Sequence, residues 1–294
     1  MNDLSPPATQ VPGVYHRRVG DIVVSAISDG FLDGNLDVLV GMDQDEARRI
    51  LADNFRPARR TSVNGFLIFS AGRVALLDAG CGTAMAATAG RLIGNLAAAG
   101  ISPEAIDTVL LSHMHPDHFA GLIAQETGAP SFAKAELLLH EAEIRFIRED
   151  AWMSAASDAQ KVHFFAAGRR VLAAYEGRIR SFAGGEVFPG VFAVPSAGHT
   201  PGHTAFLVAS ADQQLMIWGD TVHIPEVQTA HPEAGLSFDT DSQAAATARR
   251  RMFDRVATDQ MLVAGMHLHY PAFSRLVRRA GGYQLIAEPW VHVL

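Results

Sequence analysis

The sequence contains a single cysteine, Cys81, among 294 residues. One thiol excludes an internal disulfide and any zinc module that is built from several cysteines. The chain also has no run of about 18 uncharged apolar residues, so we expect no membrane-spanning segment. Residues 1–13 are polar and rich in proline, without the basic head and apolar core of a Sec signal peptide. These absences predict a cytoplasmic protein.

Positive charge is also scarce. The chain has 24 lysine and arginine residues against 31 aspartate and glutamate residues, which gives a formal net charge of −7. This acidic balance disfavours a phosphate-binding surface, so we expect no nucleic-acid partner. The sequence has neither the GxSxG elbow of a serine hydrolase nor the glycine-rich loop of a nucleotide-binding protein. Histidine, by contrast, is abundant with 13 residues, and histidine is the commonest metal ligand.

Hairpins and strands followed by helices recur in both halves of the sequence. Residues 65–77 predict one hairpin and residues 204–218 predict another. This recurrence indicates two sheets packed face to face with helices outside, in one domain. We expect residues 1–14 to form a flexible arm and residues 15–294 to form that single domain.

Several local patterns predict individual elements. An apolar run over residues 21–27 predicts a strand, and Asp29-Gly30 predicts the turn after it. Residues 43–54 predict a short helix. Apolar residues at helical spacing predict a longer helix over 85–99 and another over 242–258.

The strongest motif is HxHxDH, formed by His113, His115, Asp117 and His118 directly after the apolar run 108–112. Residues at i and i+2 of an extended segment point the same way, so the first two histidines can converge on one ion. The other two residues follow a proline, where the chain can turn into a helix and face a second ion. Three imidazoles and one carboxylate are donors that zinc or a similar metal prefers.

Four residues cannot complete two metal sites of three or more protein ligands each. Three further candidates, His199, Asp220 and His267, each follow a predicted strand. Strand-to-loop junctions bring distant parts of a sequence to one edge of a sheet sandwich, so we expect these residues to meet the HxHxDH motif there. The expected ligands are His113, His115 and His199 for the first ion, Asp117, His118 and His267 for the second, and Asp220 as the bridge.

These motifs resemble those of the metallo-β-lactamase superfamily. The likeness extends over about residues 20–285 and rests on HxHxDH, GHTPGH, a strand-end aspartate and a strand-end histidine. Within this superfamily, the chain most resembles the branch that contains methyl parathion hydrolases and N-acyl-homoserine lactonases. This likeness rests on the segments SHMHPDHFAGL, AGHTPGHT, WGDTVH and GMHLHYP. The resemblance implies an α/β fold: a four-layer αββα sandwich with two mixed sheets and helices on both outer faces.

The resemblance also implies two divalent metal ions per chain and hydrolysis of a small-molecule ester, lactone or phosphotriester. Zinc is the first expectation for the metal, and manganese, cobalt and iron remain alternatives. A hydroxide shared by the two ions would be the nucleophile. Asp117 would carry a proton to the leaving group, and His223 would donate a hydrogen bond to the substrate.

The main activity remains open at this point. We expect opening of lactones and esters with promiscuous phosphotriesterase activity. One alternative is an organophosphate hydrolase like the methyl parathion hydrolases. Another is a thioesterase like glyoxalase II, which ranks lower because the sequence lacks that enzyme's long basic helical region near its C-terminus. A homodimer is also left open.

Some neighbouring residues compete for the same roles. The family's ligand in GHTPGH is the first histidine, so the resemblance favours His199 over His203. In the same way it favours His267 over His269. We expect Asp78, a carboxylate at a strand end, to orient a ligand histidine or the adjacent loop.

Residues around the expected site predict its specificity. His223 stands three residues after the bridging aspartate, where relatives that cleave homoserine lactones tend to carry tyrosine. Phe119, Trp152 and Phe164 are candidates for the walls of an apolar pocket. We expect Cys81 to be a small packed residue.

Overall fold

A computed structural model describes residues 7–56 and 58–294. Part of the expected arm, residues 1–6, lies outside the described residues, and residues 7–13 form no helix or strand. The described strands are β1 (Val14–Val19), β2 (Ile22–Gly34), β3 (Leu39–Val40), β4 (Arg59–Ser70), β5 (Arg73–Leu77), β6 (Thr108–Leu110), β7 (Glu136–His140), β8 (Ile179–Phe182), β9 (Gly185–Phe188), β10 (Val191–Pro195), β11 (Thr204–Ser210), β12 (Gln213–Ile217), β13 (Gly235–Leu236), β14 (Leu262–Ala264), β15 (Phe273–Arg279) and β16 (Gly282–Ala287).

Helices occupy the connections between these strands. The described α-helices are α1 (Gln44–Asp53), α2 (Leu92–Ala98), α3 (Pro116–Phe119), α4 (Glu141–Arg148), α5 (Asp150–Ala155), α6 (Asp158–Gln160), α7 (Ala167–Ala174), α8 (Pro225–Ala230) and α9 (Ser242–Thr258). A π-helical segment, Lys161–Ala166, joins α6 to α7. Within this part of the chain no helix is long and apolar enough to cross a membrane.

The strands form two large mixed sheets. The first has the order β1-β2-β4-β5-β6-β7-β8, and the second has the order β16-β15-β14-β12-β11-β10-β9. Parallel pairing occurs from β5 to β8 and between β12 and β14, and the other neighbours are antiparallel. A short third sheet pairs β3 with β13.

Alternating side chains of one strand serve two different hydrophobic layers. Phe66 and Ile68 of β4 pack into the core between the two sheets, while Leu67 packs into the core under the helices. This follows from the period of two along a strand. Leu96 of α2 lies in that outer layer, and Phe253 of α9 packs on Trp218, with ring centroids 5.7 Å apart, over the second sheet. The chain therefore has the αββα architecture that the resemblance implied.

Several predicted elements agree with the structure. The helices predicted over 43–54 and 242–258 correspond to α1 and α9. Each begins after an aspartate, Asp43 or Asp241, whose carboxylate accepts two backbone N–H groups of the first turn. The two predicted hairpins correspond to β4–β5 and β11–β12.

The turn predicted at Asp29-Gly30 is wrong. Strand β2 continues through these residues with a shift of register between Ser28 and Gly30, which is typical of a β-bulge. Gly30 has a φ of 115°, and a Cβ there would lie 2.1 Å from the carbonyl oxygen of Thr88. The glycine therefore serves a bulge and a close backbone approach, which its sequence context does not distinguish from a turn.

The first half of the helix predicted over 85–99 is also wrong, because only Leu92–Ala98 is helical. Residues before it pair with β2 instead, since the Phe31 N–H donates to the carbonyl of Thr88 at 3.2 Å. The carboxylate of Asp29 accepts hydrogen bonds from the backbone N–H groups of Cys81, Gly90 and Leu92 at 2.8, 3.1 and 2.9 Å. Hydrogen bonds to the Asp29 carboxylate, which is distant in the sequence, thus hold this segment where the pattern predicts the first turns of a helix.

We expect Asp29→Ala to destabilise the protein by about 2–4 kcal/mol, because three backbone N–H groups, two of them fully buried, lose their acceptor. Urea unfolding measures the change through the transition midpoint. Asp33→Ala is the matched control on the same strand, since the Asp33 carboxylate is exposed and pairs with the exposed Arg60. Equal midpoints for the two variants would contradict this account of Asp29.

Candidate metal centre

The HxHxDH motif follows β6 at one edge of the first sheet. His113 and His115 lie on the extended segment before α3, and their Nε2 and Nδ1 atoms are 2.9 Å apart. His199, in the loop after β10, brings its Nε2 to 2.8 Å from the same Nδ1 of His115. The Oδ2 atom of Asp220, which follows β12, is 3.5 Å from His113 Nε2 and 3.3 Å from His199 Nε2. These four residues form one group that could hold a metal ion.

A second group lies beside the first. His118 Nε2 and His267 Nε2 are 3.6 and 3.4 Å from Oδ2 of Asp117. The same two nitrogens are each 3.2 Å from Oδ2 of Asp220. The structure therefore brings together all seven residues that the sequence proposed as ligands, with Asp220 between the two groups.

The donor atoms of these groups fit a divalent cation. Neither His118 Nε2 nor Asp220 Oδ1 has a hydrogen-bond partner among the described residues, although both atoms are buried. Buried polar atoms are normally paired, so unpaired donor and acceptor atoms on residues of one buried cluster indicate a missing partner. Imidazole nitrogens with a few carboxylate oxygens are the set that zinc and similar metals take.

The charge of the cluster points the same way. Burial raises the pKa of Asp220, but the surrounding histidines outweigh burial and hold that pKa well below its ordinary value. Burial lowers the pKa of His118, yet nearby carboxylates, foremost those of Asp220 and Asp117, hold it well above its ordinary value. For His113 burial and the neighbouring His118 lower the pKa. Buried negative charge in this cluster calls for a positive partner.

Other side chains orient the histidines by binding the ring nitrogen that faces away from the cluster. Asp78 Oδ2 lies 2.7 Å from His118 Nδ1, as expected for a residue that orients a ligand histidine. Asp239 Oδ1 lies 2.7 Å from Nδ1 of His199, and the Ser62 carbonyl lies 2.8 Å from Nδ1 of His267. No sequence pattern marks Asp239 or Ser62, because each meets its histidine only through the fold.

The two competing histidines lie outside the groups that could hold an ion. His203 Nε2 accepts the N–H of Asp220 at 2.9 Å, so its Nδ1 carries the proton and binds the Ser196 carbonyl at 2.9 Å. Burial and the neighbouring His199 lower the pKa of His203 to about 4. His269 Nε2 binds the Glu226 carboxylate at 2.8 Å. Neither imidazole therefore has a ring nitrogen directed into the cluster.

His223 is buried within the cluster, against Asp220 and His267. Its side chain is 4% exposed, and its Nε2 is 2.8 Å from Oδ2 of Asp220 without hydrogen-bond geometry. The ring stacks on His267 with centroids 5.0 Å apart, and these three residues form a further group that could hold an ion. The Gln228 side chain fixes the backbone by accepting the His223 N–H at 2.7 Å.

Two phenylalanines flank the cluster. Phe164, on the π-helical segment, lies 5.0 Å from His115 between ring centroids, and Phe238 lies 5.2 Å from His223. Trp152 packs on Phe146 instead and is 43% exposed. Phe119 is buried in the core under the helices, so among the three expected walls Phe164 has its ring against the cluster. Phe238 was missed, because no periodic pattern in the sequence marks it.

The Cys81 thiol is buried, and burial raises its pKa far above the ordinary value. It is therefore inert and serves as a packed residue, as expected.

Comparisons with known proteins agree with this geometry. No curated protein is similar enough in sequence to match the chain. The structure is similar to that of AbOPH, a hydrolase in the beta-lactamase superfamily, with 26% identity, a TM-score of 0.89, and coverage of 96% of this chain and 100% of that one. It is also similar to AidC, a dizinc quorum-quenching lactonase, with 24% identity, a TM-score of 0.88, and coverage of 96% and 99%.

A more distant structure shares the fold. It is an N-acyl homoserine lactone hydrolase with the product N-hexanoyl-L-homoserine at its catalytic metal centre, with 15% identity, a TM-score of 0.60, and coverage of 87% of this chain and 100% of that one. The family model of the metallo-beta-lactamase superfamily matches residues 58–267, well over half of the sequence. Family and neighbours together support a metal-dependent hydrolase. The chain therefore belongs to the metallo-β-lactamase superfamily.

Proposed function

We propose that this protein is a dinuclear metal hydrolase that opens lactones and carboxyl esters of small molecules. The observation that carries the proposal is the position of Asp220 Oδ2, which lies within 3.5 Å of a ring nitrogen of two histidines in each donor group, His113 and His199 in the first and His118 and His267 in the second. A carboxylate with two oxygens can serve two ions at once. Zinc is the first expectation for both ions because imidazole nitrogen dominates the donor set.

The proposed ligands divide between the two sides of Asp220. His113, His115 and His199 would hold the first ion, and Asp117, His118 and His267 would hold the second. When bound, such ions supply an activated water and polarise the oxygen of the scissile bond.

The remaining chemistry belongs to residues of the chain. The Asp117 side chain is 17% exposed, whereas that of Asp220 is 2% exposed, so the Asp117 carboxylate is the more accessible to a substrate. We assign it the transfer of a proton from the attacking water to the leaving group. His223, which is buried beside Asp220, would donate a hydrogen bond to the substrate oxygen as negative charge develops.

The surroundings of the cluster support an apolar substrate. Phe164 and Phe238 present aromatic rings at 5.0 and 5.2 Å from histidines of the cluster. Rings in this position suit the acyl or aryl part of an ester or lactone. The similar lactonases act on substrates of this class, which adds support for a lactone. Imidazole is shorter than a tyrosine side chain, so His223 also leaves room for a bulkier phosphotriester.

The first test is the metal content. We expect about two zinc, manganese, cobalt or iron ions per chain after expression in metal-supplemented medium, because the donors fill two groups. Asp220→Ala should lose most of both ions, since the two groups share that carboxylate. Asp212→Ala, at the exposed β11–β12 turn, is the matched control. Only a trace of metal in the unsubstituted protein would contradict the proposal.

The second test compares two histidines of one loop. His267→Ala should remove the second ion and nearly all activity, because Nε2 of this residue lies in the donor group. His269→Ala should have a milder effect, since its imidazole binds Glu226 instead. Elemental analysis and turnover of an acyl lactone measure both effects. A reversed order of severity would show that the ligand in this loop has been assigned wrongly.

The third test concerns His223. We expect His223→Ala to lower turnover by about ten- to a hundredfold through loss of one transition-state hydrogen bond, with the metal content unchanged. A panel of acyl lactones, aryl esters and aryl phosphotriesters measures the effect for each substrate class. His231→Ala, a partly exposed histidine at the end of α8, is the control. Loss of metal would instead make His223 a ligand, and normal turnover on every substrate would leave it without a catalytic role.

A further inference from the structure

Glu143, on α4, is a fully buried carboxylate beside the cluster. Its Oε1 atom accepts the backbone N–H of Met114 at 2.8 Å. Its Oε2 atom accepts the hydroxyl of Thr200 at 2.8 Å and the backbone N–H of Gly202 at 2.9 Å. One side chain therefore joins two loops that are far apart in the sequence.

The position of each contact matters for the donor group. Met114 lies between His113 and His115, so the hydrogen bond to its N–H fixes the extended backbone that directs both imidazoles to one side. Thr200 directly follows His199 in the other loop. Glu143 thus contacts the neighbour of every histidine in the first donor group.

The packing around Glu143 leaves little freedom for the loops. A Cβ at position 202 would lie 2.4 Å from the backbone nitrogen of Glu143, so only glycine permits this approach of the loop to α4. None of the ion pairs found in residues 7–56 and 58–294 involves Glu143. Its charge is therefore balanced by hydrogen-bond donors from both loops.

We propose that Glu143 is a positioning residue that sets the spacing between the loops carrying His113, His115 and His199. The spacing in question is the 2.8 Å between His199 Nε2 and His115 Nδ1 and the 3.2 Å between His199 Nε2 and His113 Nε2. The inference rests on the proposed function, because it assigns the affinity of the first metal site to this carboxylate. Glu143 does not act on the second group, whose histidines it does not contact.

Glu143→Gln is the sharpest substitution, since it keeps the length and shape of the side chain. An amide has one acceptor oxygen and one NH2 group. If the oxygen faces Met114, the NH2 group faces the N–H of Gly202. If the amide is turned, the NH2 group faces the N–H of Met114. In both orientations one backbone N–H loses its acceptor, and one of the two loops is released.

The experiment measures Co²⁺ binding by calorimetry and by the absorption spectrum of the bound ion, separately for each site. A His267→Ala background leaves only the first donor group complete, and a His199→Ala background leaves only the second. We expect Glu143→Gln to weaken Co²⁺ binding by about ten- to a hundredfold in the first background and by less than about threefold in the second. The absorption spectrum should change only in the first.

Glu141→Gln is the matched control, because the Glu141 carboxylate is exposed on the same helix. Equal Co²⁺ affinity and spectrum for Glu143→Gln and Glu141→Gln in the first background would overturn the proposal. Equal weakening in both backgrounds would overturn it too, since a general loss of stability affects the two sites alike.

A second variant covers failure of Glu143→Gln to fold. Thr200→Val removes one hydrogen bond to Oε2 with little change of shape, and we expect a weakening of several-fold in the first background only. No change there, with Glu143→Gln unfolded, would overturn the proposal. If the unsubstituted protein binds no Co²⁺, the proposed function itself fails, which is a different result from unequal effects of these variants.

Discussion

The buried charge of Asp220 is the constraint on which the rest of this structure depends. Its carboxylate lies between the two groups of histidines, and one of its oxygens has no hydrogen-bond partner in the part of the chain that the structure describes. Burying an ionised carboxylate is costly unless charge and hydrogen bonds compensate. The surrounding histidines supply part of that compensation, since nearby carboxylates hold the pKa of His118 well above its ordinary value, whereas burial lowers the pKa of His113. A divalent cation bound by these donors would supply the rest.

The fold meets this constraint by drawing donors from both sheets. The HxHxDH segment follows a strand of the first sheet, whereas His199, Asp220 and His267 follow strands of the second. No single loop could supply so many converging imidazoles. Three of these histidines, His118, His199 and His267, are held through their other ring nitrogen by Asp78, Asp239 and the Ser62 carbonyl, which fixes the direction of the free nitrogen.

Much of the candidate site could be predicted from the sequence because the proposed ligands lie in short local patterns. Alternation along an extended segment fixes the relation between His113 and His115 without knowledge of the fold. The residues that support them are different. Glu143, Asp239 and Phe238 reach the cluster only through tertiary contacts, and nothing nearby in the sequence marks them. The same limit explains the errors in the predicted fold. Asp29-Gly30 has the composition of a turn, but Gly30 lies in a β-bulge and the Asp29 carboxylate binds backbone N–H groups of a distant loop.

The core between the two sheets has a consequence that reaches beyond stability. Its side chains, such as Phe66 on one sheet and Phe206 on the other, determine how far apart and at what angle the sheets dock. The candidate ligands follow the ends of strands in these two sheets, so the packing of the core sets the distances between the ligands. A conservative substitution in this core, out of reach of any substrate, would then change the distances between the candidate ligands and with them the chemistry of the site. Natural variation in these interior positions is thus a route by which relatives with the same ligands could come to differ in metal preference and in rate.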